Sequence, residues 1–274
     1  MSIVQKLIDA WANCNVAQIV GLFSPAATWI VDGRAYEGHN AITTYIRQVL
    51  DDVVQTCIVL RRTFNDVDEP SWAAVEWAFR IQTASGCSEV EQAVLVYVRD
   101  EQITYMRTHN DTLRRCQTTL DAPLRPEHRR ASYPVPARPM DKADILKLQH
   151  RHVMQGWRLG DADTICSCHA PASVILNAWE DVHGHAEIRT SAVKYGANFV
   201  DTHIEVHRVV YDGQNIALNQ TWSCTNRLTG IRAGDQDLIM GVVQDNQIHY
   251  WREYFDPSQS AQTLEQTPFG NREN

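Results

Sequence analysis

The chain contains an echo of itself. The stretch Gln247-Ile-His-Tyr-Trp-Arg-Glu-Tyr-Phe-Asp256 repeats the pattern of Gln102-Ile-Thr-Tyr-Met-Arg-Thr-His-Asn-Asp111, with Gln, Ile, Tyr, Arg and Asp at matching places. Each copy follows a short polar turn, Arg99-Asp100-Glu101 or Gln244-Asp245-Asn246, and each turn follows an apolar run, 93–98 or 238–243. That succession predicts a β-hairpin, and its recurrence predicts a duplicated domain. Upstream the two halves keep one spacing. Ala10-Trp11 corresponds to Gly156-Trp157, Asn15 to Asp161, Ile19 to Ile165, Gly38-His39 to Gly184-His185, Ile42 to Ile188 and Ile58 to Ile204. No net insertion separates the halves from the first helix to the first long strand.

Within the first half, Ile3, Val4, Leu7, Ile8 and Trp11, then Ile19, Val20 and Phe23, recur at helical spacing. The break at 13–15 predicts two helices joined by a tight turn. A short strand over 27–32 ends at Asp32-Gly33, and a third helix follows over 38–52. Strands then follow over 57–64, 71–83, 90–99 and 102–111. The second half predicts a helix over 142–168, a strand over 172–178, a helix over 184–199, and strands over 202–211, 215–227, 235–244 and 247–256. Consecutive strands exclude a doubly wound sheet. The fold class is α+β, with helices on one face of a curved, mostly antiparallel sheet, built twice. Residues 117–141 hold five of the ten prolines and read as an extended connector. The expected organisation is a first domain over 1–116, a linker over 117–141, a second domain over 142–258 and a polar tail over 259–274.

Acidic residues outnumber basic ones, 33 to 25. No basic excess exists to contact phosphates, so neither nucleic acid nor an anionic membrane is an expected partner. The Arg-rich segment 125–130 lies in the connector and reads as solvated. No apolar run approaches a membrane span. The opening MSIVQKLIDAWANC enters an amphipathic helix without a basic leader. Seven cysteines without a framework spacing read as reduced thiols, so a cytoplasmic location is expected. Cys166-Ser-Cys168-His169 has no zinc spacing and reads as buried residues at a helix end. His150 and His152 point apart on a helix, and His39 and His185 sit at turns into helices. No metal and no cofactor are expected.

The element order, the Gly-His-x-x-Ile helix start, the strand "HIEVHRVVYDGQNIAL" and above all "QIHYWREYFDP" resemble the nuclear transport factor 2-like superfamily. The likeness is greatest to SnoaL-like polyketide cyclases and limonene epoxide hydrolases. It covers nearly all of both halves and is clearer in the second. The resemblance implies two tandem cone-shaped domains, each enclosing one apolar pocket between three helices and the concave sheet face. It also implies intramolecular pairing of the halves as a pseudo-dimer, or a homodimer.

Strand alternation selects the pocket residues. In the last strand Trp251, Glu253 and Phe255 share one face, while Tyr250, Arg252 and Tyr254 share the other with Tyr105, Arg107 and His109 of the first half. The outer strip suits a contact between halves. A carboxylate between two aromatics loses hydration, so its pKa rises toward neutrality, where it can act as acid or base. The epoxide hydrolase resemblance implies a catalytic carboxylate at Glu253 and a water-positioning Asn at Asn177. The Arg-x-Asp pair of that family is absent, its strand here reading Asn-Gln-Thr-Trp-Ser-Cys. Gln220 and Trp222 should face the pocket. His203, Glu205 and His207 should face outward. Thr108 replaces Glu253 in the first half, beside Trp77, Phe79 and Ile81, so that copy reads as degenerate. The expected function is cofactor-free proton transfer on an apolar cyclic or polyketide-like molecule: isomerisation, cyclisation, dehydration or epoxide opening. The rival is a non-catalytic binding or assembly module.

Overall fold

The structure, a computed structural model, describes residues 2–122, 139–177 and 180–255. The chain divides into two compact units, Met1–Ser132 and Tyr133–Asn274. Most of the expected connector and all of the expected polar tail lie outside the described residues.

In the first unit, helices α1 (Ile3–Ala12), α2 (Val16–Gly21) and α3 (Gly38–Val49) accompany strands β1 (Phe23–Val31), β2 (Arg34–Glu37), β3 (Val53–Asn65), β4 (Trp72–Thr83), β5 (Gly86–Arg99) and β6 (Gln102–Thr118). The sheet order is β2-β1-β6-β5-β4-β3, antiparallel except where β1 lies beside β6. The 13–15 break is built as expected: Cys14 takes φ 49, and Asn15 caps α2 by accepting from the Gln18 N–H. Strand β6 runs to Thr118 because Cys87, Ser88 and Glu89 of β5 pair with Thr118, Gln117 and Cys116. The expected linker therefore starts later than position 117.

The second unit repeats this with α4 (Lys142–His150), α5 (Ala162–Cys168), α6 (Gly184–Asn198), β7 (His169–Leu176), β8 (Asp181–His183), β9 (Phe199–Tyr211), β10 (Asn215–Asn226), β11 (Arg232–Gln244) and β12 (Gln247–Tyr254). Its order is β8-β7-β12-β11-β10-β9. Two expectations are corrected. The helix over 142–168 is interrupted by a π-helical turn over Arg151–Gly156, a 3-10 turn over Trp157–Leu159 and a left-handed Gly160. The edge strands β2 and β8, of four and three residues, are too short for a period to announce them.

The duplicated motifs have a physical basis. Both hairpin turns carry two residues at positive φ, Asp100 and Glu101 in one and Asp245 and Asn246 in the other, the twist that a two-residue hairpin loop needs. Gly38 and Gly184 take φ 72 and 70, and a Cβ there would press on Pro25 O and Pro171 O at 3.2 and 3.1 Å. The next residues, His39 and His185, each place Nε2 2.8 Å from the first carbonyl of β1 or β7. The Gly-His pair thus ties the third helix to the sheet.

Each unit buries its own core where its helices cover the sheet. In the first unit Leu7, Ile19, Phe23, Ile42, Ile46 and Val94 are central, and in the second Ile165, Ile188, Ile216, Leu218, Ile239 and Ile248. Burial of this kind contributes about 25 cal/mol per Å² of apolar surface. The aromatic end of the second core stays open as a cavity.

Candidate active site

Strand register aims the cavity residues. Gln220 of β10 stands opposite Asp237 of β11, and Trp222 opposite Asp235. Ile239 stands opposite Glu253 of β12, and Gly241 opposite Trp251. Alternation then sends Gln220, Trp222, Asp237, Trp251 and Glu253 to one face, where all five line a cavity of about 110 Å³. Gly241 makes room for that arrangement. A Cβ there would lie 2.8 Å from Ile216 Cγ2, 3.1 Å from Tyr250 O and 3.7 Å from the Trp251 ring. The helical side contributes His152, Val153 and Trp157, then Ser191 and Tyr195 of α6. Ile175, Asn177, Glu180, Phe199 and Ile204 complete the wall.

Two carboxyl groups share this space under different conditions. Glu253 accepts a hydrogen bond from Trp251 Nε1 at 2.9 Å. Burial pushes its pKa up to about 7, and the nearby Glu180 carboxylate adds to the rise. Asp237 is 2% exposed, and only its Oδ2 is satisfied, by Gln220 Nε2 at 3.2 Å; Oδ1 has no partner. Burial first, and the Glu253 charge second, hold the Asp237 pKa well above the ordinary carboxylate range. Asp237 therefore holds its proton more tightly than an ordinary carboxyl, while Glu253 is poised near neutrality between its two forms. Gln149 of α4 fixes the relay by directing Nε2 at Gln220 Oε1, 3.4 Å away. Glu180 accepts from Ser191 Oγ.

A chain of neutral histidines backs the cavity. Trp157 Nε1 lies 2.9 Å from His152 Nε2, and an indole can only donate, so that nitrogen is unprotonated. His169 Nε2, 3.0 Å away, must then donate to it, and His169 Nδ1 must accept from Ser173 Oγ at 2.8 Å. Burial supports this, pushing His169 down to about 3 and His152 well below its usual value. The π turn makes the arrangement possible: its wider winding brings residues five apart, His152 and Trp157, onto one side.

Of the residues expected from the sequence, Glu253, Gln220, Trp222, Trp251 and Asn177 do line the cavity. Phe255 does not; it is buried, just past the end of β12, outside the lining. Asn177 is largely committed to its own turn, where Oδ1 accepts from the Glu180 N–H at 2.8 Å, so it shapes the loop presenting Glu180. His203, Glu205 and His207 are exposed, as alternation requires. Arg252 lies over the Tyr254 ring at 4.5 Å, on the strand face opposite Glu253.

Sequence reasoning missed Asp237, Glu180, His152, Ser191 and Tyr195. For Asp237 a signal existed: once Gln220 faces the pocket, its antiparallel partner must face it too. His152 had none, because its orientation depends on an irregular turn.

The first unit shows how the same scaffold closes. At positions corresponding to Ile175, Ser191, Gln220, Asp237 and Glu253 stand Trp29, Tyr45, Trp77, Gln92 and Thr108. Trp29 Nε1 donates to Thr108 at 3.0 Å, Trp77 Nε1 donates to Gln92 at 2.5 Å, and the Trp29 and Tyr45 rings meet edge to face at 5.0 Å. The space remaining is about 20 Å³, against about 110 Å³ in the second unit.

Comparison with known proteins agrees with this duplicated architecture. The family model of the SnoaL-like domain matches twice, over residues 4–106 and 150–253, about three quarters of the chain. A search of curated proteins gives no match. Among solved structures, an LEH-like epoxide hydrolase from M. tuberculosis is 17% identical, with a TM-score of 0.40 over 46% of this chain and 92% of that one. A putative SnoaL-like polyketide cyclase from Shewanella denitrificans is 8% identical, with a TM-score of 0.36 over 40% of this chain and 88% of that one. Each spans less than half of this chain. The two matches of the family model decide the identity: the chain belongs to the SnoaL-like domain family and carries that domain in tandem.

Proposed function

We propose that the second domain is a cofactor-free proton-transfer enzyme acting on a small, largely apolar molecule that carries an oxygen. Isomerisation, cyclisation, dehydration and epoxide opening all fall within this class. One observation supports it most: two carboxyl groups line one desolvated cavity with their proton affinities set apart. Such a pair divides the work of base and acid. Glu253 removes a proton from the bound molecule. Asp237, kept neutral, offers its proton toward the oxygen on which negative charge develops, and Gln220 holds its orientation. The aromatic walls exclude water, which strengthens both interactions. The first domain, with its cavity filled by tryptophans and no carboxyl at the positions of Asp237 and Glu253, takes no part in this chemistry.

The test is deuterium exchange from solvent into a panel of small cyclic ketones, followed by NMR, for wild type, Glu253→Gln and Asp237→Asn. General base catalysis contributes about 10²–10⁴-fold, so Glu253→Gln should lower exchange by that order. Exchange that survives Glu253→Gln refutes the assignment. Stoichiometric binding of panel members with no exchange in wild type supports the rival binding-module reading.

A further inference from the structure

The cavity's charge is one-sided. Three carboxyl groups line it, those of Glu180, Asp237 and Glu253, and no Lys or Arg does so among the described residues. A neutral ligand brings these carboxyl groups no counter-charge. The remaining wall is rich in aromatic rings: Trp157, Tyr195, Phe199, Trp222 and Trp251. Trp157 and Tyr195 stand at 86° with centroids 5.5 Å apart, so neighbouring walls meet at right angles, and Phe199 continues the wall 5.1 Å from Tyr195. Aromatic walls at right angles with nearby carboxylates form the surroundings that attract an ammonium ion. Asp237 Oδ1, on a side chain that is 2% exposed, is a polar atom of this wall left without a partner.

We propose that the ligand of this cavity enters through a cationic ammonium head, methylated or cyclic, with Glu180 as its counter-charge. This deepens the functional reading above and rests on it, since the same cavity is taken as the substrate site. Ser191 holds Glu180 in place as the counter-charge, which leaves Glu253 available for the proton. A bound cation also favours the ionised form of Glu253, so the ligand readies the base that acts on it. Size agrees. A cavity of about 110 Å³ suits a compact head, given that ~150 Å³ takes up benzene in an engineered apolar cavity.

The experiment is a calorimetric titration with choline and with its neutral carbon isostere, in which a tert-butyl group replaces the trimethylammonium. Wild type should bind choline at least about tenfold more tightly than the isostere. Glu180→Gln should erase that preference, and Trp222→Leu should weaken choline binding while leaving the melting temperature within a few degrees. The proposal is overturned if the isostere binds as well as choline, if choline does not bind at millimolar concentration, or if Glu180→Gln and Trp222→Leu, both folded, retain the preference. Cation preference without deuterium exchange on any substrate would keep this proposal and sink the catalytic one. Exchange on neutral ketones with no cation preference would do the reverse.

Discussion

Replacing Glu253 by Gln should stabilise the second domain at alkaline pH and have little effect at acid pH. The carboxyl's pKa is raised from 4.5 to about 7 in the fold. Below pH 4.5 it is neutral in both folded and unfolded chains and is no burden. As pH rises from 4.5 toward 7 the unfolded chain ionises and the folded one does not, so stability falls. Above about 7 both are ionised and the loss is complete, of the order of 3 kcal/mol at the usual conversion. Part of the side chain remains accessible in the cavity, and solvent there reduces the figure, so about 2 kcal/mol is the expectation. Gln cannot ionise, yet its Oε1 can still accept from Trp251 Nε1. Of the groups facing Glu253, namely Asp237, Glu180, His152 and Tyr195, Asp237 also responds to the substitution, since the Glu253 charge helps to hold its pKa up; that relief acts at alkaline pH in the same direction. Thermal melts of wild type and Glu253→Gln from pH 4.5 to 8.5 should coincide at the acid end. They should diverge through pH 7, with the variant higher by roughly 4–8 °C at the alkaline end. A constant difference across the range, or a variant less stable at pH 8, refutes the argument that burial strains this carboxylate.

Other outcomes follow from the same geometry. Asp237→Asn should leave the pH-dependent loss of wild-type stability near 7 in place, because burial and Glu180 raise the Glu253 pKa and Asp237 does not; its disappearance in the same melts would reassign the titration. Gly241→Ala should cost about 1–3 kcal/mol by denaturant unfolding, since the new methyl meets Ile216 and the Tyr250 carbonyl, and it should also disturb Trp251 fluorescence. Ser191→Tyr copies the side chain that stands at Tyr45 in the first unit, so it should abolish ligand-induced changes in tryptophan fluorescence while the domain stays folded. In the first unit, Arg80 and Glu89 pair at 2.7 Å with neither more than 3% exposed. Glu89→Gln should therefore cost about 3–5 kcal/mol in a denaturant melt, the penalty for stranding a buried guanidinium.

How far the sequence could be read follows from what each feature depends on. Strands and their inward faces were legible because alternation is local: Trp251 with Glu253, and Gln220 with Trp222, are fixed by period alone. The duplication was legible because matching residues recur at one spacing, and the turn residues at positive φ recur with them. The carboxyl pair needed one step more, from Gln220 across the ladder to Asp237, a contact set by register rather than by local pattern. His152 was out of reach. Its meeting with Trp157 and His169 depends on a π turn for which the helical period gives no sign. Phe255 was misplaced because alternation was extended one residue past Tyr254, where β12 ends. The closed first cavity was half visible: Thr108 in place of Glu253 showed the missing acid, while the filling by Trp29 and Tyr45 is a matter of packing.

One carboxyl of the second domain is poised near neutrality beside another that holds its proton well above the ordinary carboxylate range. Carboxyl-labelled NMR across pH 3 to 9, on wild type, Glu253→Gln and Asp237→Asn, measures this directly. A glutamate signal should titrate near 7 and vanish in Glu253→Gln, and an aspartate signal should titrate well above the ordinary carboxylate range and vanish in Asp237→Asn. If every glutamate and aspartate is ionised by pH 5, the cavity holds two ordinary carboxylates and the proposed division of base and acid is wrong.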